Sequence, residues 1–208
     1  MKKTIIFLVS GLLSFGIMSA QSSDRAVSKG KNIINVYYGV NLLTSFYKNL
    51  ATTTASDVKV KGVGPIGLVY EHMVTDGIGL GAEISYASTT LTYVDKSTNQ
   101  STGTVNNYNW ELKFATTRAM FRANFHFAKS EKFDAYFLIS AGYRGTTFTV
   151  NSNDPSFNKS VYVIPRVLPP YGFKPGLGFR YFFTDNIGIN AEIAIGTPVM
   201  CGGLTFKF

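Results

Sequence analysis

Hydrophobic and polar residues alternate along most of this chain, and the alternation is clearest over residues 176–196. Large apolar or aromatic residues hold the odd positions on both sides of Thr184-Asp185-Asn186, while most even positions carry small or polar residues. A period of two puts each set on one face of a strand. Asp and Asn suit the tight turn because their side chains hydrogen-bond the local backbone. The segment therefore predicts a β-hairpin with one continuous apolar face.

A second copy of this hairpin occupies residues 67–86. Thr75-Asp76 there corresponds to Thr184-Asp185, and Ala82-Glu83-Ile84 corresponds to Ala191-Glu192-Ile193. A repeated unit of this kind favours a sheet built from similar up-and-down hairpins.

The same alternation predicts eight strands, and the connections between them alternate between long loops and short turns. Even strand number, short turns at one end and long loops at the other are typical of outer-membrane barrels. The predicted fold class is all-β, an eight-stranded antiparallel up-and-down transmembrane β-barrel with both termini on the turn side. The predicted strands lie near 32–43, 63–73, 78–94, 107–127, 134–149, the hairpin 176–196, and 200–208.

The N-terminus predicts an export signal. Lys2 and Lys3 precede an apolar stretch that ends in small residues at Ser19-Ala20, as in a secretory signal peptide. The expected organisation is a signal peptide at 1–20, a mobile polar tail at 21–31 and a barrel domain at 32–208.

Composition agrees with a membrane barrel. Charged residues make up 15% of the chain, and the formal net charge is +8. The basic residues are scattered and form no nucleic-acid-binding motif, and attraction to anionic lipid headgroups explains the surplus charge equally well. Cys201 is the single cysteine, which excludes an internal disulfide.

The less apolar face carries both glycines and charged residues, which indicates a crowded, narrow lumen rather than a solvent-facing surface. An Arg or Lys facing lipid at mid-bilayer would cost about 2–4 kcal/mol, whereas acids and bases inside the barrel can pair. We therefore predict a lumen charge network that leaves no open pore; a charged constriction that selects ions is the alternative. Its members are Glu71, Glu83, Arg118, Arg122, Arg144, Arg180, Glu192 and Lys207.

The chain resembles the small eight-stranded outer-membrane β-barrels that include OmpX and the transmembrane domain of OmpA. The resemblance rests on the export signal, the hairpin 176–196 and the ending Gly203-Leu-Thr-Phe206-Lys-Phe208. The resemblance implies that Gly203, Phe206 and Phe208 form a C-terminal sorting signal like that of the family. The resemblance implies an integral protein of the outer membrane with periplasmic termini, and it implies membrane lipid and the outer-membrane assembly machinery as partners.

No arrangement of residues predicts catalysis. The two histidines, His72 and His126, lie near the turn side, where we expect an interface residue and a lumen hydrogen-bonding residue. No paired carboxylates, metal-ligand spacing or phosphate-binding loop is present, so the sequence predicts neither an enzyme nor a cofactor.

The fourth predicted strand contains an irregularity. Phe121, Phe125 and Phe127 occupy odd positions, whereas Trp110, Leu112 and Phe114 occupy even ones. We interpret the change as a β-bulge near Ala115–Arg118. The alternative is that the upper apolar residues point inward and form a hydrophobic pocket beneath the loops.

The third and fourth strands also exceed the 9–11 residues that a bilayer requires, so we expect the hairpin to project beyond the membrane. Its open edges favour a surface protein partner bound through residues 88–114. The predicted function is therefore a structural or adhesive outer-membrane barrel. One alternative is a narrow channel or transporter of small or hydrophobic ligands; another is a secreted soluble barrel.

Overall fold

The computed structural model describes residues 25–40, 58–98, 105–157 and 169–208. Within these ranges the chain forms eight strands, each antiparallel to the next, and β8 pairs with β1 to close a barrel. This confirms the predicted fold class. The described ranges contain no helix long and apolar enough to cross a membrane. The strands are β1 Asn32–Gly39, β2 Lys59–Met73, β3 Ile78–Thr98, β4 Val105–His126, β5 Phe133–Ser152, β6 Tyr171–Phe182, β7 Ile187–Ala194 and β8 Met200–Lys207.

The alternation in sequence appears as alternation in exposure. In β7 exposed and buried positions alternate at every residue, with isoleucines outside and Asn190 and Glu192 inside. Phe121 on β4 is 82% exposed, whereas Arg180 on β6 is 1% exposed. This is the inverse of a soluble barrel, whose interior would be apolar. The soluble alternative therefore conflicts with the structure.

Glycines make room for the large side chains of the lumen. Gly178 lies beneath the ring of Tyr136, and Gly67 lies beneath the ring of Tyr37, so a side chain at either position would collide with the ring. The small residues of the inner face are thus required by packing, as expected for a narrow barrel.

Residues 25–31 differ from the predicted mobile tail. Ala26 and Val27 are 2% and 3% exposed and form one apolar cluster with Ile33, Met73 and Phe182. Because polar residues flank this Ala-Val pair, the sequence shows no apolar pattern there. The pair is buried only because it packs against the end of the barrel.

Hydrogen bonds fix the same segment at the turn end of the barrel. The Ala26 N–H donates to the carbonyl of Ser130 at 2.6 Å, and Lys207 Nζ donates to the carbonyl of Ala26 at 2.6 Å. The Lys29 N–H donates to the Asp76 carboxylate at 2.8 Å. These bonds reach two turns and the last strand, so residues 25–31 lie across the turn-side mouth.

The β-bulge predicted in the fourth strand is wrong. The register of β3 and β4 is continuous from Ile78–Phe125 to Thr98–Val105, and that of β4 and β5 is continuous from His126–Tyr136 to Trp110–Ser152. A register shift lies instead in β2, between Val63 and Ile66. Trp110, Leu112 and Phe114 therefore share the inner face with Arg118. A strand that extends past the bilayer no longer needs lipid-facing apolar residues, so its apolar face can change side without a bulge.

Candidate functional site: the barrel lumen

The turn side of the lumen holds a closed ring of four ionisable side chains. Arg180 bridges two acids, with Nη2 2.5 Å from Glu71 Oε2 and Nη1 3.0 Å from Asp134 Oδ2. His126 bridges the same two acids, with both ring nitrogens 2.8 Å from a carboxylate oxygen. Strands β2, β4, β5 and β6 each supply one member, so barrel closure assembles the ring.

A second cluster lies on the loop side of this ring. Arg122 forms a bidentate ion pair with Glu192, in which Nη1 and Nη2 each donate to one carboxylate oxygen. Its Nη1 also lies 3.3 Å from Glu83 Oε2. Lys174 Nζ lies 2.8 Å from Glu83 and 3.4 Å from Glu192. The Tyr37 hydroxyl donates to Glu83 Oε1 at 2.6 Å. Each acid here therefore has at least two donors, as buried carboxylates require.

Tyr136 connects the two clusters. Its hydroxyl donates to Glu192 Oε1 at 2.9 Å. Its ring lies over the guanidinium groups of Arg180 and Arg122, at 4.3 and 5.6 Å from the ring centroid. Cation–π contacts of this kind strengthen when water is excluded. The two clusters and Tyr136 therefore form one polar plug across the lumen, held by seven of the eight strands.

The structure brings together five of the eight predicted network residues: Glu71, Glu83, Arg122, Arg180 and Glu192. Arg118 is buried and faces inward, but in the ranges that the structure covers no carboxylate lies at ion-pair distance from it. Two others bind backbone oxygens at the ends of the barrel. Arg144 donates to the carbonyl of Pro169, and Lys207 donates to that of Ala26.

Sequence reasoning missed two charged members of the plug. Asp134 is the second residue of β5. At a strand end too few neighbouring residues alternate to assign a side chain to one face. Lys174 precedes the predicted start of the sixth strand, which in fact begins at Tyr171. The alternation of Lys174 with the apolar Phe173 was the sequence signal that could have placed Lys174 on the inner face. His126 faces the lumen, whereas His72 lies outside, with Nδ1 2.9 Å from Asn32 Oδ1.

Ion pairs occupy the acids of the described lumen. In the described part of the chain no group of three or more His, Cys, Asp or Glu residues could hold a metal ion. Cys201 is buried as a free thiol.

The outer surface is a belt of exposed apolar and aromatic side chains. The residues of the predicted sorting signal lie on β8 and just after it. Phe206 and Phe208 face outward, and Gly203 approaches the backbone of β1 too closely to permit a side chain. The turn-side aromatics Tyr181 and Phe183 pack edge to face, with ring centroids 5.7 Å apart. Such aromatic girdles are typical of the interfaces of membrane barrels.

The inner face of β3, β4 and β5 becomes apolar above Arg118. Tyr93 and Trp110 are cross-strand partners with near-parallel rings, and Phe157 meets the edge of Trp110 at a centroid distance of 5.3 Å. An open cavity of about 610 Å³ is lined in part by Tyr93 and Trp110. Its other lining residues are Lys59, Thr92, Val94, Asn109, Glu111, Asn151, Ser152 and Asn153.

No protein-family model matches the chain, and no curated protein matches it. Solved structures that it resembles include the N-terminal β-barrel domain of OprF from Pseudomonas aeruginosa, at 16% identity and a TM-score of 0.43 over 88% of this chain and 100% of that one.

Two further structures are similar. Escherichia coli outer membrane protein W matches at 16% identity and a TM-score of 0.43, over 87% of this chain and 99% of that one. Ail, the attachment invasion locus protein of Yersinia pestis, matches at 15% identity and a TM-score of 0.37, over 86% and 99%. The closed eight-stranded barrel itself is given by the strand pairing of this chain.

Proposed function

We propose that the protein is an integral outer-membrane β-barrel without catalytic activity, with a closed lumen and periplasmic termini, which presents a sheet at the cell surface. The polar plug is the observation that carries this proposal. Seven strands contribute side chains to it, and Arg180, Glu71, Glu83 and Tyr136 are among the largest fully buried side chains described. The segment 25–31 adds a second closure at the turn-side mouth.

The exposed belt supports the membrane environment. Phe121, Phe173 and Ile193 are all more than half exposed, and such residues surround the barrel. In water a continuous apolar surface of this kind would cause association, whereas in lipid it is the expected outer face. The outward position of Phe206 and Phe208 fits a sorting signal that the outer-membrane assembly machinery reads.

Conductance tests the closed lumen. In planar lipid bilayers the wild-type protein should give little steady current. The variant Arg122→Ser, Glu192→Ser, Arg180→Ser, Glu71→Ser that also lacks residues 25–31 should give discrete current steps, because water fills the space left by one ion pair from each cluster of the plug and by the segment across the turn-side mouth. Removing both partners also avoids an uncompensated buried charge.

The matched control is Glu111→Ser, Lys113→Ser, which removes one acid and one base from β4 above the barrel. We expect this variant to remain as silent as the wild type. A steady wild-type current would instead favour the channel, the second candidate function. The apolar inner face around Trp110 favours that candidate as a route or site for small hydrophobic ligands.

The extension of β3, β4 and β5 supports the surface role. β4 has 22 residues, about twice the 9–11 that a bilayer requires. The pairing of β5 with β6 ends at Tyr143–Tyr171, although β5 continues to Ser152. The pairing of β2 with β3 ends at Lys59–Thr92, although β3 continues to Thr98. Residues 88–98 and 105–114 therefore belong to a sheet of β3, β4 and β5, and its free edges, 93–98 on β3 and 145–152 on β5, could accept a strand from a protein partner.

Excision of this sheet tests the surface role. Leu91 and Leu112 are direct cross-strand partners, so an Asn-Gly turn can replace residues 92–111 without changing register. The shortened barrel should still show heat-modifiable gel migration. Cells that display it should lose adherence to plates coated with extracellular-matrix proteins. Lys96→Gln, Lys113→Gln, which keeps the sheet, is the control. Equal adherence of the shortened and full-length proteins would contradict an adhesive role for the sheet.

A further inference from the structure

The polar plug balances its own charges. Its acids are Glu71, Asp134, Glu83 and Glu192, and its bases are Arg180, Arg122, Lys174 and His126, which is a cation when both nitrogens donate to the flanking carboxylates. Four acids thus face four bases. The plug therefore has no surplus carboxylate to neutralise Arg118 and Arg144, the inward-facing bases that lie on its loop side in the described ranges.

Arg118 and Arg144 lie opposite each other on neighbouring strands. They are direct cross-strand partners in β4 and β5, and they share the inner face with Arg122, which lies four residues from Arg118. Arg118 is 9% exposed and Arg144 is half-buried. Like charges directly opposite each other in a sheet destabilise it. An anion between the two guanidinium groups would remove this repulsion.

The neighbouring polar atoms also lack a described partner. Thr146 lies two residues beyond Arg144 on the same face and is 3% exposed, and its hydroxyl makes no hydrogen bond to any residue in the described ranges. Arg144 uses Nε and Nη2 on the neutral carbonyl of Pro169 and leaves Nη1 available. Arg118 makes no side-chain hydrogen bond to the described chain. A buried hydroxyl without a partner is destabilising, and an oxygen of a bound ligand would satisfy it.

We propose that Arg118, Arg144 and Thr146 bind a phosphate group at the loop-side mouth of the lumen. Paired guanidinium groups suit phosphate because their planar N–H donors match its oxygens, and the Thr146 hydroxyl supplies a further donor. The phosphate belongs either to free inorganic phosphate or to a lipid headgroup that reaches the mouth, since both present the same oxygens.

Titration calorimetry of the full mature chain, refolded in a maltoside detergent that contains no phosphate, tests this site. At constant ionic strength, inorganic phosphate should bind saturably with one site per barrel. Arg118→Gln and Arg144→Gln should each weaken binding by about tenfold or more, since each removes charge-assisted hydrogen bonds. Thr146→Val should weaken it several-fold. Lys113→Gln, an exposed change on β4, should bind like the wild type.

Stability provides a second readout. Arg118→Gln relieves the repulsion from Arg144, so in phosphate-free buffer this variant should melt at or above the wild-type temperature. At a phosphate concentration that saturates the wild type, added phosphate should raise the melting temperature of the wild type by more than that of the variant. Titration with a short-chain phosphatidic acid distinguishes the source, because a lipid-headgroup site should prefer it to inorganic phosphate. Non-saturable phosphate binding, or equal binding by wild type and both arginine variants, would overturn the proposal.

Discussion

Replacement of Arg180 by Met should destabilise the barrel by about 3–5 kcal/mol, because it leaves buried acids without their main counter-charge. Arg180 is the cation that joins Glu71 and Asp134 on the turn side of the plug. Without it, the two carboxylates face each other with only His126 between them. Reversible urea unfolding in lipid vesicles would measure the loss of free energy.

Two companion variants identify the cause. Lys132→Met removes a base at the exposed turn before β5 and should change stability by less than about 0.5 kcal/mol. The triple variant Glu71→Gln, Asp134→Asn, Arg180→Met removes the charges together and should recover part of the loss. If Arg180→Met costs no more than Lys132→Met, the ring at the turn side does not stabilise the barrel.

The second large effect concerns the outer face. Phe121 is 82% exposed, near the middle of the predicted membrane span of β4, where its cross-strand partners are Ala82 and Ala141. Phe121→Arg should cost about 2–4 kcal/mol in a bilayer, because the guanidinium would lie in hydrocarbon. The measurement is the same vesicle-based unfolding experiment.

The same substitution at the edge of the membrane provides the control. Phe183 is similarly outward-facing but lies at the turn end, so Phe183→Arg should cost only about 0–1 kcal/mol. Phe121→Leu keeps an apolar side chain and isolates the effect of charge. An Arg at position 121 that costs nothing in vesicles, and that lets the protein remain soluble without detergent, would show that this face meets water.

Local alternation predicted the strands and the faces of their membrane-level residues correctly. Alternation predicted the eight strands, and it predicted that Glu192 and Arg180 share the inner face opposite to Ile193 and Phe179. Strand faces follow from a period of two in the backbone, which neighbouring residues are sufficient to reveal. The choice between soluble and membrane barrel also came from sequence, because charges and glycines on one face suit a lumen better than a solvated surface.

The strand ends and the irregular fourth strand were predicted less well. The apolar even positions of Trp110, Leu112 and Phe114 suggested a bulge, yet β4 keeps one register with both neighbours. Apolar side chains change face there because the sheet has left the bilayer, and the sequence does not mark where lipid ends. The burial of Ala26 and Val27 was missed because two apolar residues give no period.

The pattern of the chain determines that this protein is an eight-stranded barrel with a charged interior, because face and strand are local properties. Closure of the barrel decides which charged side chains pair in the lumen. Lys174 meets Glu83 across 91 positions, and Arg180 meets Glu71 across 109. No local pattern specifies such contacts, since strand register and lumen width decide which side chains reach each other. Closure of the barrel also decides that no carboxylate of the described residues lies at ion-pair distance from Arg118 or Arg144, which alternation alone does not reveal.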